Sequence, residues 1–391
     1  MRTHGLVPRL QPFTSTIFAE MTALAARTGA VNLGQGFPDT DGPAGMLEVA
    51  RSAIARGHNQ YPPGPGIPTL RSAVAGYRAA CYGLAHDPDT EVLVTVGATE
   101  AISAALLALV GQGDEVLLIE PYYDSYAAAV ALADATRRSV ALVADGNRFT
   151  LNLDALAGAI TPATRAVLLN SPHNPTGTVL RRAELAALAA LAVEHDLLVI
   201  TDEVYEHLVF DGAQHLPIAT LPGMAQRTLS VSSAGKTFSV TGWKIGWVCG
   251  PAHLVAAVRA VKQFLTFVSG APFQPAIAHA LRAERAWVTA HCAALQDKQH
   301  RLATGLRAAG FGVRQSEGTY FICADIRPLG YSDGLQFCRE LPERAGVVAV
   351  PVQVFADDPA PWRHLVRFAF CKRDEVLDEA IARLTSARRL R

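Results

Sequence analysis

From about residue 91 the chain alternates short apolar runs rich in β-branched residues with alanine-rich stretches of helical period, and few folds accept that alternation. The runs are "EVLVTV" (91–96), "EVLLIE" (115–120), "RSVALV" (138–143), "RAVLLN" (165–170), "LLVITD" (197–202), "TLSVSS" (228–233) and "IGWVCG" (245–250). Near-continuous apolar strands separated by helices point to an α/β fold. Its large domain would hold a mixed, mostly parallel sheet of these seven strands, covered by helices on both faces. After a helical stretch over 252–310, broken at "GAPFQP" (270–275), the pattern changes. "GVRQSEGTYFICADI" (312–326), the helix "SDGLQFCRELPE", the strand "HLVRFAFC" (364–371) and a helix from Asp374 read as a smaller α+β domain. The expected division is an N-terminal arm over 1–42 packing beside the small domain, a large domain over 43–290, and the small domain over 291–391.

Composition narrows the partners. Lys+Arg and Asp+Glu are both 35, so no global field attracts nucleic acid or an anionic membrane, and any anion binding must come from local pockets. The cysteines Cys81, Cys249, Cys292, Cys323, Cys338 and Cys371 are scattered, with neither C-x-x-C pairs nor histidines at metal spacing. They read as small core residues in a reducing compartment, with no metal site. The N-terminal "MRTHGLVPRLQPF" lacks an apolar stretch of signal length, and runs such as "LAALAALAV" (185–193) are too short to span a bilayer, so a cytoplasmic protein is expected.

Ligands of an open parallel sheet bind beyond the carboxyl ends of its strands. Those ends carry Gly97, Ala98 and Thr99 at a strand-to-helix junction, Asn174 in "SPHNPTG", Asp202 with Tyr205 three residues on, and Ser233 with Lys236. Gly235-Lys236-Thr237 is not a nucleotide-binding loop, because that loop needs a glycine where Ser230 stands. Each site alone has an ordinary reading as a turn, a cap or a local hydrogen bond. Together they match the needs of pyridoxal phosphate. Lys236 can hold the aldehyde as a Schiff base, and Asp202 can keep the ring nitrogen protonated. Asn174 and Tyr205 can bond the ring hydroxyl, and Tyr123 in "EPYYDSY" offers a stacking plane. Ala98, Thr99, Ser233 and Lys244 suit the phosphate, at a helix start opened by Gly97.

At this point the sequence resembles the class I and II aminotransferases of the aspartate aminotransferase fold, from "LGQGFPD" (33–39) to "HLVRFAFCKRDE" (364–375). The resemblance rests on S-x-G-K with a downstream G-W-K-x-G and on the ordered set Asn174, Asp202, Tyr205 and Lys236. It implies Lys236 as Schiff-base lysine and proton shuttle, Asp202 as the pyridinium partner, and Arg367 as the grip on the substrate α-carboxylate, helped by Gly36 and Asn174. It further implies that Tyr61 in "NQYPPGPG" reaches the phosphate of a neighbouring subunit, hence a homodimer with composite sites acting on amino-acid and 2-oxo-acid substrates. Many members carry arginine where Lys244 stands, and lysine there marks the kynurenine and glutamine transaminase subgroup. "TIFAEMTALA", "NQYPPGPG", "TDEVYEHLVFD" and "FAFCKRDE" look most like actinobacterial N-succinyldiaminopimelate aminotransferases of lysine biosynthesis. The alternatives are a broad-specificity kynurenine, glutamine or methionine aminotransferase and a β-lyase on the same scaffold. A distal substrate carboxylate would need a cation, for which Arg363, Lys262 and Arg56 are equally available. Instead, a pocket lined by Ile17, Phe18 and Tyr123 would favour methionine, glutamine or aromatic donors.

Overall fold

The structure, a computed structural model, describes residues 5–387. Seven strands form one sheet: β1 (Val92–Val96), β2 (Glu115–Glu120), β3 (Thr136–Ala141), β4 (Thr164–Asn170), β5 (Leu198–Asp202), β6 (Thr228–Ser233) and β7 (Ile245–Cys249), in the order β1-β7-β6-β5-β4-β2-β3. Only β7 runs antiparallel to its neighbours. The carboxyl ends of β1, β2, β4, β5 and β6 therefore share one edge. Their apolar runs are continuous because both faces are covered. Helices Gly97–Leu109, Ser125–Leu132 and Ala252–Lys262 pack one face around Ile102, Leu118, Ile200 and Val231. Leu153–Ala159 and Arg182–Glu194 pack the other around Leu117, Val167 and Val199.

One strand differs from the sequence expectation of 138–143. β3 begins at Thr136, and Val143 belongs to a separate hairpin with Arg148–Thr150. An edge strand tolerates the exposed Arg137 and Arg138, so the apolar run did not mark its start. The helical stretch after β7 divides into Ala252–Lys262, Phe273–Ala283 and Arg285–Ala308. Pro275 lies in the first turn of the second helix, where a missing N–H costs nothing.

A second sheet carries Gly312–Val313, Phe321–Asp325, Leu365–Ala369 and Val350–Pro351, and helices Arg285–Ala308, Gly334–Ala345 and Asp374–Ser386 close a core around Leu302, Phe337, Phe368 and Leu377. The N-terminal segment joins this core. Helix Ile17–Thr28 buries Met21 and Leu24 in it, and Val31–Asn32 pairs in parallel with Val347–Val348. Beyond that pair, Leu33 to Phe37 runs along Leu365–Ala369 and over the carboxyl edge of the large sheet, with Ala369 N donating to Leu33 O at 2.7 Å. Among the described residues no helix is long and apolar enough to cross a membrane.

Candidate active site

A cavity of about 440 Å³ opens where the large sheet's carboxyl edge, the second sheet and the Leu33–Phe37 segment meet. Gly36, Gly97, Ala98, Thr99, Tyr123, Asn174, Asp202, Tyr205, Ser233, Lys236, Lys244 and Arg367 all line it. Strand β6 runs directly into the four-residue helix Ala234–Thr237, so Lys236 follows a strand end with no glycine-rich turn to wrap a nucleotide phosphate. Its Nζ donates to Tyr320 Oη at 2.8 Å. Burial, reinforced by the charges of Lys244 and Arg367, lowers its pKa to about 8 although Asp202 opposes the shift.

Asp202 ends β5. Tyr126 Oη donates to its Oδ2 at 2.7 Å and Val204 N to its Oδ1 at 3.2 Å. Burial nevertheless raises its pKa to about 6. Asn170 Nδ2 donates to Asp202 O at 2.8 Å, and Asn170 Oδ1 accepts from Asn174 N at 2.7 Å, so the ends of β4 and β5 are fixed relative to each other. At the end of β1, Gly97 has φ +74°, and a Cβ there would sit 3.0 Å from Lys244 Nζ. Glycine thus lets the lysine amine lie over the start of helix Gly97–Leu109, whose first N–H groups have no intrahelical partner.

Arg367, on Leu365–Ala369, is 1% exposed, yet no carboxylate pairs with it among the described residues. Its Nη1 donates to Asn174 Oδ1 at 2.8 Å and its Nη2 to Gly34 O at 2.9 Å, while Nε is buried without a partner. The guanidinium lies 3.9 Å from the ring centre of Phe321, with Phe18 and Phe355 at 5.3 and 5.4 Å. An always-charged fork held on aromatic faces, with Asp124 acting on it only at a distance and no carboxylate in contact, is suited to a ligand carboxylate.

Three residues that sequence reasoning missed, Tyr126, Tyr320 and Asn170, bond the predicted ones. Tyr126 stands in the same "EPYYDSY" as Tyr123, which could have revealed it. Tyr320 gave no such signal, since its partner is distant in sequence. Of the candidate distal cations none lines the cavity: Lys262 Nζ is turned to Phe267 O at 2.9 Å, and Arg56 and Arg363 lie on the surface. Phe18 and Tyr123 line it and Ile17 does not. Tyr61 lies outside the cavity and is 80% exposed, edge-on to Phe267 at 5.3 Å. All six cysteines are unpaired. Glu203, Glu206 and His215 could approach one metal ion, but Arg78 Nη1 already stands 2.6 Å from Glu203 and 3.7 Å from Glu206 and supplies positive charge there.

Residues 28–384 match the model of the family "Aminotransferase class I and II". The chain belongs to the class I and II aminotransferases. As an aminotransferase it moves an amino group between an amino acid and a 2-oxo acid. It is 61% identical, over 97% of this chain and 98% of the relative, to the probable N-succinyldiaminopimelate aminotransferase of Mycobacterium tuberculosis. The solved structure of N-succinyldiaminopimelate aminotransferase from that organism superposes with a TM-score of 0.96, covering 97% of this chain and 99% of that one. The methionine aminotransferase of Escherichia coli is 40% identical over 98% of this chain and 99% of its own. The Thermus thermophilus aspartate aminotransferase, 34% identical with a TM-score of 0.90 over 98% of this chain and 100% of that one, shares the fold.

Proposed function

We propose that this aminotransferase uses pyridoxal 5′-phosphate with Lys236 as its catalytic lysine. The observation that carries this reading is one cavity holding a lysine amine brought down to about 8, a buried carboxylate and a buried arginine with an unpartnered Nε. The donor set fits the cofactor. The phosphate would be held by the helix-start amides of Ala98 and Thr99 with Ser233 and Lys244, the ring nitrogen by Asp202, and the ring hydroxyl by Asn174 and Tyr205, beside Tyr123. Held by these residues, pyridoxal phosphate would supply an electron sink for the pair left when the substrate α-C–H bond breaks. Lys236 takes and returns the α-proton, for which an amine titrating near neutrality is suited. Arg367 orients the substrate by its α-carboxylate, and the aromatic rings around the guanidinium exclude water from that contact.

The substrate is N-succinyl-LL-diaminopimelate, which exchanges its amino group reversibly with 2-oxoglutarate, the acceptor that becomes glutamate, in lysine biosynthesis. This assignment is supported by the 61% identity to the Mycobacterium tuberculosis relative. The aromatic lining, with Lys236, Lys244 and Arg367 as the cavity's cations, favours a second reading: methionine, glutamine or kynurenine as donor. Under the first reading, a distal carboxylate is met by a group outside the described cavity. The measurement is kcat/KM for the succinylated substrate against methionine, glutamine and kynurenine with a common acceptor. The first reading expects a preference of at least tenfold, about 1.4 kcal/mol of transition-state binding; a smaller ratio leaves the broad-specificity enzyme. We further propose a cytoplasmic homodimer with residues 43–290 as cofactor domain, 291–391 as small domain, and the 1–42 arm packing with the small domain.

A further inference from the structure

Tyr320 immediately precedes the strand Phe321–Asp325 and is 1% exposed. Two hydrogen bonds meet at its hydroxyl: Lys236 Nζ donates to Oη at 2.8 Å, and Oη donates to Gly36 O at 2.6 Å. A phenol carries one hydrogen and a carbonyl can only accept, so that hydrogen lies toward Gly36 and the free lone pairs face the lysine. The lysine amine is thereby held from one defined direction.

The backbone around Tyr320 is built to keep it there. Thr319 has φ +68°, in the left-handed region that a β-branched residue keeps only under constraint. Its N donates to Leu208 O at 2.9 Å and its Oγ1 accepts from Phe321 N at 3.1 Å. On the other side, a Cβ on Gly36 would come within 2.4 Å of Phe321 Cζ and 3.0 Å of Tyr320 Cε2, so only glycine brings that carbonyl to the hydroxyl. The same segment offers Gly34 O to Arg367. One stretch of chain therefore holds both the tyrosine that touches the lysine and the arginine fork.

We propose that Tyr320 is a positioning residue, which holds the Lys236 amine in the orientation from which it takes and returns the substrate α-proton and ties that amine to the segment bracing Arg367. In that step a C–H bond breaks, an N–H bond forms on Nζ, and the electron pair is left to the cofactor. The inference rests on the assignment of Lys236 as the proton-transferring group. Tyr205 stands edge-on to Tyr320 at 5.2 Å and its hydroxyl also interacts with that of Tyr320, beside the bond from Lys236.

The test is Tyr320→Phe, which keeps the ring and removes the hydroxyl. Expected in the holoenzyme is a kcat lower by about ten- to a hundredfold with KM changed less than threefold, and a larger isotope effect on kcat with α-deuterated donor, because proton transfer becomes more rate-limiting. In the full-length protein stripped of cofactor, pH-dependent amine labelling followed by mass spectrometry should move the midpoint for Lys236 to lower pH, since an acceptor of its ammonium form is lost. An isotope effect equal to that of the parent overturns the proposal whatever the midpoint does. Failure of the underlying assignment has a different signature: Lys236→Ala would retain transamination, whatever the behaviour of Tyr320→Phe.

Discussion

Asp202 and Glu203 are neighbours in the chain, both buried, and they titrate in opposite directions. Burial raises both, but at Glu203 the Arg78 guanidinium at 2.6 Å and His215 outweigh it and bring the carboxyl down to about 2. Asp202 has hydroxyl and amide donors and only the more distant Lys236 charge, so it is left at about 6. Burial of this kind leaves a carboxylate that gains from a cationic ring nitrogen. Below about pH 6 Asp202 is protonated before the cofactor arrives, and pairing with a protonated ring must then release a proton. The affinity of cofactor-free protein for pyridoxal phosphate should accordingly fall as pH drops through about 6, and titration by fluorescence or absorbance should lose that limb in Asp202→Asn. The same variant should fold normally and lose at least tenfold in kcat, because a neutral amide cannot hold the ring nitrogen protonated and such partners are worth a few kcal/mol at the transition state. A smaller loss would remove Asp202 from that role. Residues of this sort were readable in the sequence because strand ends and short spacings placed them: Asp202 and Lys236 each close an apolar run. Tyr320 was not readable, because its role exists only through Gly36 and Lys236, brought together by the tertiary fold.

At the scale of elements, six of the seven strands were legible because burial on both faces leaves a largely apolar run, while the edge strand β3, with Arg137 and Arg138 exposed, was placed two residues late. Their order was not: the antiparallel β7 between β1 and β6 follows from packing and leaves no mark in periodicity. Pairs as short as Val31–Asn32 with Val347–Val348, and the helix Ala234–Thr237, carry too few residues to show a period. Yet the short segment after Val31–Asn32 lies over the cavity. Its tolerance is small at Gly36, where an added methyl overlaps Phe321, the ring lying 3.9 Å beneath Arg367. Overpacking of this kind costs about 1–3 kcal/mol. Gly36→Ala is expected to lower Tm and to raise KM for amino acids about tenfold or more, as Phe321 and the fork are pushed apart. Parallel thermal melts and kinetics with two donors would check it, and an unchanged KM would mean that the segment yields without disturbing Arg367.

The whole molecule leaves one feature that its own chain does not account for. Tyr61 is 80% exposed and stands edge-on to Phe267, which is 51% exposed, and the nearby chain positions Phe264 and Leu265 are 84% and 47% exposed. Clustered exposed rings on a chain with balanced charge mark a contact surface, and Tyr61 is the residue that the family resemblance sends to a neighbour's phosphate. If two copies pair across this surface, each site takes its lysine from one subunit and its tyrosine from the other. Tyr61→Ala at limiting cofactor and Lys236→Ala should then each be inactive alone. Mixed, unfolded and re-associated at equal amounts, half the dimers combine one of each, and every such dimer has one intact site and one doubly altered site. The mixture should recover about one quarter of the parent activity, a value fixed by two-fold symmetry. Recovery absent under conditions where the parent re-associates fully, or a fully active monomer by light scattering, would show that each chain completes its own site and that the exposed rings serve another contact.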